Sequence, residues 1–285
     1  MTAYENRYWW SNDGLRLHCR DYPGDPARAP LLCMPGLTRN ARDFAALAER
    51  LAGPRRVIAV DFRGRGESAY SKDPMTYVPL IYVQDVEALL TELGIAQVAA
   101  VGTSLGGIVA MLLAATRPGR LAGALINDVG PEIEPGGLSR IRGYVGRGSA
   151  YPTWMHAARA VAEANGEVYP DWPIEDWLAM AKRLYRLNSA GRVVLDYDMK
   201  IAEPFRVPGN EAGPDMWRAL DAMRDVPVLV VRGERSDVLA PQVADRMVAR
   251  LNAAELATVP GIGHAPTLSE AALAAPIARW LDRVP

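Results

Sequence analysis

Short apolar runs alternate along the chain with segments whose apolar residues recur every three or four positions. The runs predict strands, and the periodic segments predict helices. In the first half, strands are predicted over residues 8–10, 15–22, 31–34, 57–60, 98–101 and 123–127, and helices over 40–52, 79–93 and 105–116. The alternation returns near the end, with strands over 226–231 and 255–259 and helices over 237–251 and 271–284.

Most of these predicted strands are apolar on both faces. Such strands, separated by helices, are typical of a parallel sheet covered by helices on both sides. The chain begins differently, because the turn S-N-D-G between the first two strands predicts a hairpin. We therefore predict an α/β fold with a mostly parallel, twisted sheet. Active sites of such sheets lie at the carboxyl edge of the strands.

The alternation is interrupted after residue 130. Residues 131–214 contain turns, aromatic residues and short helical patterns at 138–145, 153–165 and 174–187. A helical insertion that follows a strand lies over the carboxyl edge of the sheet, as a lid does. We predict a core domain of residues 1–130 and 215–285 and a helical cap of residues 131–214.

Charge and composition narrow the range of partners. The 285 residues are 49% hydrophobic and 23% charged, with a formal net charge of -1. This balance provides no basic surface for nucleic acid and no attraction to an anionic membrane. The expected partner is a small molecule, and the oligomeric state is open between monomer and homodimer.

Cysteine usage and the first residues bear on location. Cys19 and Cys33 fall in predicted strands, without the spacing of a metal site. They are expected to be small buried side chains in a reducing compartment. The opening M-T-A-Y-E-N-R-Y-W-W lacks the basic and apolar regions of a secretory signal. These features predict a cytoplasmic location.

A candidate nucleophile stands in the stretch V-G-T-S-L-G-G-I-V, at Ser104. The serine lies between a predicted strand and a predicted helix, with Gly102 and Gly106 two positions away on each side. A tight strand-to-helix turn of this kind exposes the hydroxyl above the sheet and leaves amide groups of the helix free. The alternative is that Ser104 only caps the helix, since serine is a preferred N-terminal cap.

The chain has three histidines from which a base for this serine could come. His18 lies in an early strand and is expected to be a half-buried packing residue. His156 lies in the insertion and is expected on the surface of the lid. His264 stands in V-P-G-I-G-H-A-P, in a loop between a strand and the last helix. His264 therefore reaches the same sheet edge as Ser104 and is the candidate base.

A carboxylate must orient this base, and two aspartates follow strands at the same edge. We favour Asp237, in R-G-E-R-S-D-V-L, because it gives the chain order serine, acid, histidine that a nucleophile elbow predicts. Asp128, in I-N-D-V-G-P, is the alternative and would otherwise anchor the insertion. Glu234 is a weaker third candidate.

An oxyanion needs two amide donors above the sheet. The amide of Leu105, at the start of the predicted helix, is the first candidate. The loop C-M-P-G-L-T-R-N follows the third strand, and its Gly36 permits a close approach of the backbone to the serine. The amide of Leu37 is therefore the second candidate.

The motifs G-T-S-L-G, S-D and G-H, together with D-F-R-G-R-G-E-S, resemble the α/β-hydrolase superfamily over nearly the whole chain. The chain is most similar to small bacterial esterases and enol-lactonase-like hydrolases with a cap. The resemblance implies Ser104 as nucleophile, His264 as base and Asp237 as acid. It also implies oxyanion donation by Leu37 and Leu105.

Two further segments can be compared with that family, the turn that contains Arg63 and the oxyanion loop. The turn that contains Arg63 is usually structural, and we expect Arg63 to be buried and paired. Many members carry His-Gly in the oxyanion loop, where this chain has Pro35-Gly36. The oxyanion hole should survive this change because its donors are main-chain groups, but a substrate contact through that histidine is lost.

The expected reaction is acyl transfer through an acyl-enzyme, which needs no metal or organic cofactor. The preferred substrate class is a carboxylic ester. The same triad also serves lactone opening and carbon–carbon cleavage of aromatic catabolites, which are the alternatives. An alternative outside the enzymes is a small-molecule receptor with slow turnover.

The substrate pocket is expected between the cap and the sheet edge. Among the aromatic residues of the insertion, Trp154 and Tyr185 are candidates to line it, although such residues also pack a cap onto its core. Arg39, Arg142 and Arg147 are candidates to bind a substrate carboxylate. Arg39 is the best of the three because it lies in the oxyanion loop.

Overall fold

A computed structural model describes residues 3–206 and 214–285. The strands in these ranges are β1 (Glu5–Trp10), β2 (Arg16–Tyr22), β3 (Leu31–Met34), β4 (Val57–Asp61), β5 (Val98–Thr103), β6 (Leu121–Asn127), β7 (Tyr185–Leu187), β8 (Val193–Leu195), β9 (Val228–Gly233) and β10 (Ala254–Val259). One sheet has the order β1-β2-β4-β3-β5-β6-β9-β10. From β4 to β10 all neighbours in it are parallel.

The α-helices of the same ranges flank this sheet or belong to the insertion. They are α1 (Ala45–Leu51), α2 (Pro79–Glu92), α3 (Leu105–Thr116), α4 (Pro135–Tyr144), α5 (Trp154–Asn165), α6 (Ile174–Leu184), α7 (Met216–Asp221), α8 (Pro241–Arg250) and α9 (Ala274–Arg283). Short 3-10 helices occur at Ala41–Phe44, Pro74–Thr76, Met199–Arg206 and Ala271–Leu273.

The central strands are buried on both faces, and this explains their uninterrupted apolar sequence. Every residue of β4 and β6 is buried. One hydrophobic cluster lies on each side of the sheet. The predicted α/β fold with a mostly parallel sheet is confirmed. The predicted hairpin is also present, because β1 and β2 pair antiparallel across the turn that contains Gly14, at φ +80°.

The insertion after β6 contains α4, α5, α6, the two-stranded sheet β7-β8 and the 3-10 helix Met199–Arg206. It has a hydrophobic cluster of its own, which includes Ala157, Trp177 and Val193. The helix predicted over residues 174–187 ends at Leu184, because the next three residues pair with β8. Residues 207–213 of the predicted cap lie outside the described residues.

No helix in the described part of the chain is both long and apolar enough to cross a membrane.

Candidate active site

Ser104 occupies a strained turn between β5 and α3, with φ 52° and ψ -114°. The two flanking glycines are required by close backbone contacts. A Cβ on Gly102 would lie 2.3 Å from the carbonyl oxygen of Gly106, and a Cβ on Gly106 would lie 2.0 Å from that of Met34. Any larger residue would push α3 away from the sheet, so the glycines keep the Ser104 hydroxyl at the strand end.

His264 lies in the loop between β10 and the 3-10 helix Ala271–Leu273 and faces Ser104. Its Nε2 is 3.0 Å from the Ser104 Oγ. Its Nδ1 is 2.8 Å from the Oδ2 of Asp128. The two ring nitrogens therefore connect the hydroxyl to a carboxylate, which is the arrangement that general-base activation of a serine requires.

Asp128 follows β6 directly and is held by the neighbouring strand β9. Its backbone is at φ 58°, and its amide donates to the carbonyl oxygen of Val231 at 2.8 Å. Its Oδ1 accepts a hydrogen bond from the amide of Gly233, also at 2.8 Å. The carboxylate is completely buried, so these contacts and His264 determine its orientation.

Asp237, the acid favoured by the sequence, does not hydrogen-bond to His264. It lies four positions beyond the end of β9, and its side chain is 41% exposed. Both of its carboxylate oxygens accept hydrogen bonds from Arg140 of α4, at 2.6 and 2.8 Å. The hydrogen bond from Arg140 lowers the pKa of Asp237. The expectation that Asp237 orients the base was therefore wrong, and Asp128 takes that position.

The amides of Leu37 and Leu105 are available above the sheet edge. Leu105 is the first residue of α3, so its N–H has no acceptor within the helix. Across the described residues, neither of these two amides donates a hydrogen bond to another protein group. Gly36 lies close to Ser104, since a Cβ placed on it would be 3.8 Å from the Ser104 Cβ.

Arg65 holds the loop that contains Leu37. The Arg65 side chain is fully buried, and its Nε donates to the carbonyl oxygen of Leu37 at 2.9 Å. Its Nη1 donates to the Tyr82 hydroxyl at 3.0 Å. Nothing in the local sequence marked this arginine as a contact of the loop. The neighbouring Arg63 is buried and paired with Asp85, as predicted.

A cavity of about 530 Å³ lies between the sheet edge and the cap. Ser104 and His264 line it from below, and several cap side chains line it from above, namely Tyr144, Tyr151, Tyr169, Met180, Tyr185 and Tyr197. Of the predicted pocket residues, Arg39 and Tyr185 line the cavity. Trp154 does not, because it packs against the hydrophobic cluster inside the cap.

Arg39 is paired within the protein. Its Nε and Nη2 donate to the two carboxylate oxygens of Asp43 at 2.6 and 2.7 Å. Burial alone would raise the pKa of Asp43, but the charge of Arg39 holds that pKa below its usual value. The Arg39 guanidinium is thus already paired with a carboxylate of the protein.

The cap contacts the loop that carries His264. The amide of Gly263 donates to the carbonyl oxygen of Val168 at 3.1 Å, and the hydroxyl of Tyr169 donates to the carbonyl oxygen of Ala265. Burial raises the pKa of Tyr169. These contacts hold the loop of His264 from the cap side, and no local sequence signal indicated them.

The described residues include no group of three or more His, Cys, Asp or Glu side chains arranged to hold a metal ion.

Comparison with known proteins gives consistent matches. A model of the alpha/beta hydrolase family matches residues 31–276. A 3-hydroxybutyrate-oligomer hydrolase from Cupriavidus necator is 35% identical over 257 residues, which are 87% of this chain and 87% of that protein. A 2-(acetamidomethylene)succinate hydrolase from Mesorhizobium japonicum is 28% identical over 236 residues, 82% of this chain and 81% of that protein.

Among solved structures, an alpha/beta hydrolase from Novosphingobium aromaticivorans is similar to the whole chain. The two share 59% sequence identity and superimpose with a TM-score of 0.95, with 100% of each chain covered.

Proposed function

The chain belongs to the alpha/beta hydrolase family, and on that premise we propose that it hydrolyses carboxylic esters with Ser104, His264 and Asp128 as its catalytic residues. One observation carries the proposal. The hydroxyl, the imidazole and the carboxylate form a continuous chain with distances of 3.0 and 2.8 Å, and its serine end opens into the cavity.

The first half of the reaction acylates the enzyme. The Nε2 of His264 takes the proton of the Ser104 hydroxyl as the Oγ attacks the ester carbonyl carbon. The Leu37 and Leu105 amides donate to the oxygen that becomes negatively charged. The Asp128 carboxylate accepts the Nδ1–H of His264 and stabilises the imidazolium. His264 then protonates the leaving alcohol, and the acyl group stays on Ser104.

The second half releases the acid. His264 takes a proton from a water molecule, which attacks the acyl-enzyme carbonyl. The same two amides stabilise the second oxyanion. When the intermediate collapses, the proton on His264 returns to Ser104 and the carboxylic acid leaves. The side chains of Ser104 and His264 supply each proton transfer.

An ester bond agrees with the name of the Cupriavidus relative, whose 3-hydroxybutyrate oligomers are esters of a hydroxy acid. The same residues could also open a lactone or cleave a vinylogous ring-fission diketone, so the experiment compares these substrate classes. The predicted cytoplasmic location also remains a proposal, and it is supported by Cys19 and Cys33, both free and buried.

Initial rates should be measured on 4-nitrophenyl acetate, butyrate and octanoate, an enol-lactone and a ring-fission diketone. The proposal predicts that the esters give the highest kcat/KM and that the dependence on chain length reports the depth of the cavity. Faster turnover of the lactone or the diketone than of every ester would contradict it.

A further inference from the structure

Positively charged side chains outnumber negatively charged ones in the lining of the cavity. The described lining residues include four arginines, namely Arg39, Arg140, Arg147 and Arg183. Asp43 is the single carboxylate residue among the described lining residues. A cavity partly shielded from water strengthens the interaction of such charges with a bound ligand.

Two of the four arginines are neutralised by carboxylates of the protein. Arg39 donates two hydrogen bonds to Asp43, at 2.6 and 2.7 Å. Arg140 donates two to Asp237, at 2.6 and 2.8 Å. Bidentate pairs of this kind satisfy the charge and most of the donors of a guanidinium. These two arginines are therefore poor candidates for an anionic substrate.

Arg183, on α6, is incompletely satisfied. Its Nε is buried and has no hydrogen-bond partner. Its closest ion-pair contact is the Asp43 Oδ1, 3.9 Å away, and that oxygen already accepts a hydrogen bond from Arg39. In the described part of the chain, its Nη2 donates only to the Met180 sulfur, at 3.7 Å. The side chain is 22% exposed, so the rest of the guanidinium can still bind a ligand that brings an acceptor.

Arg147, just beyond α4, is the second lining arginine without a close carboxylate of its own. Within the described residues its guanidinium makes no hydrogen bond and no ion pair, and the residue is exposed at the cavity. An exposed arginine alone is ordinary. This one lines the same cavity as Arg183 and Ser104, so the excess positive charge lies on the wall of the cavity into which Ser104 opens.

We infer that the cavity selects esters that carry a free carboxylate, and that Arg147 and Arg183 bind this carboxylate while Ser104 attacks the ester carbonyl. The inference rests on the proposed function, since it concerns the same cavity. The guanidinium fork matches a carboxylate and supplies charge-assisted hydrogen bonds. Arg147 and Arg183 thus replace Arg39, the arginine that the sequence favoured for binding a substrate carboxylate.

The experiment uses substrate pairs that differ in one charge. The ester-linked dimer of 3-hydroxybutanoic acid is compared with the same dimer whose terminal carboxylate is a primary carboxamide of nearly equal shape. Monomethyl adipate and its carboxamide analogue form a second pair, with the charge on the acyl side. We expect kcat/KM to be about tenfold or more higher for the acid in at least one pair, as charge-assisted hydrogen bonds provide.

The variant Arg147→Gln should reduce this acid-to-amide ratio about tenfold. Its side chain is exposed, so folding is not at risk. Arg183→Gln should reduce the ratio in the same pair. The matched control is Arg159→Gln, which removes an exposed arginine of the cap that does not line the cavity, and its ratio should equal that of the wild type. Ratios near one in both pairs, or equal ratios in all variants, would overturn the inference and leave ester hydrolysis intact.

A binding measurement separates the inference from the proposed function. Ser104→Ala is titrated by calorimetry with the acid and the amide of each pair, in the absence of turnover. Tighter binding of an acid, with no hydrolysis of any ester by the wild-type protein, would contradict the proposed function and support the carboxylate site. Equal binding of acid and amide would contradict the carboxylate site.

Discussion

Two histidine–aspartate pairs lie in this molecule, with nearly the same contact distance and very different surroundings. His18 and Asp61 join β2 to β4, with Nδ1 and Oδ2 2.7 Å apart. His264 and Asp128 meet at the carboxyl edge of the sheet, where the same two atoms are 2.8 Å apart. Distance alone does not distinguish these pairs.

The difference lies at the second ring nitrogen. The Nε2 of His18 is 2.9 Å from the side-chain oxygen of Asn6, and the His18 side chain is 1% exposed. Asp61 also accepts hydrogen bonds from the amides of Ala41 and Glu67, at 2.6 and 3.0 Å. All these contacts are internal, so the pair ties strands and loops together.

The Nε2 of His264 instead faces the Ser104 hydroxyl, at the wall of a cavity. A histidine–aspartate pair becomes a candidate for proton transfer only where the free nitrogen meets a group that can react and a space for substrate.

Ser104→Ala should lower kcat for esters by about 10⁶-fold, because it removes the atom that forms the acyl-enzyme. The thermal unfolding midpoint should stay close to that of the wild type, since Ser104 makes no side-chain hydrogen bond other than that to His264 among the described contacts. Steady-state rates and calorimetric unfolding check both parts. An active Ser104→Ala protein would contradict the role of the serine.

Asp128→Asn should lower kcat by about 10³- to 10⁴-fold, because an amide in this position no longer holds His264 in the required tautomer. The control is Asp237→Asn, the same change at the acid favoured by the sequence, for which we expect less than about a threefold effect, since its hydrogen-bond partner is Arg140. The kinetic constants of both variants are compared on one ester. The reverse pattern would restore Asp237 as the acid.

His18→Ala should act on stability, not on chemistry. Loss of the buried ring leaves the Asp61 carboxylate without one of its donors, and the free energy of unfolding should fall by about 2–4 kcal/mol. The measurement is urea unfolding, with kcat determined per folded molecule. A loss of kcat as large as that of Asp128→Asn would show that the two pairs do not differ in the way described.

The smallest effect is expected at the Asp237–Arg140 pair. Since the folded state lowers the pKa of Asp237, the pair stabilises the protein above the ordinary aspartate pKa and loses that contribution as pH falls through the lowered value. With both side chains about two-fifths exposed, we expect less than about 1 kcal/mol.

Urea unfolding of wild type and Asp237→Asn at pH 7 and at successively lower pH, to below the lowered pKa of Asp237, measures this contribution. The difference between the two proteins should be small at pH 7 and vanish in acid. A difference that grows as pH falls would contradict the assigned direction of the pKa shift.

Hydrophobic patterning predicted the core of the fold well, because its central strands are buried on both faces and are therefore apolar without interruption. The helix predicted over Leu105–Thr116 has the observed bounds. Patterning failed at residues 185–187, where a pairing with β8 inside the cap, not local propensity, determines the conformation.

The error at the acid has a geometric cause. β6 lies next to β5, the strand that carries Ser104, whereas β9 is one position farther along the sheet. Asp128 follows β6 directly, whereas Asp237 stands four positions after the end of β9, in a half-buried loop. Both aspartates lie between Ser104 and His264 in the sequence, so the chain order could not show which of them is next to His264. The polar pair Asn127-Asp128 at the end of a buried run was the available signal.

The most direct test of the central claim is the rate at which a fluorophosphonate labels the protein, followed by mass spectrometry of the peptide that contains Ser104. We predict one label per chain, on Ser104, at similar rates in the wild type and Asp237→Asn. Asp128→Asn should react about 10³-fold more slowly, because His264 is no longer oriented to take the serine proton. Labelling of Asp128→Asn at the wild-type rate, or a label on another residue, would contradict the account.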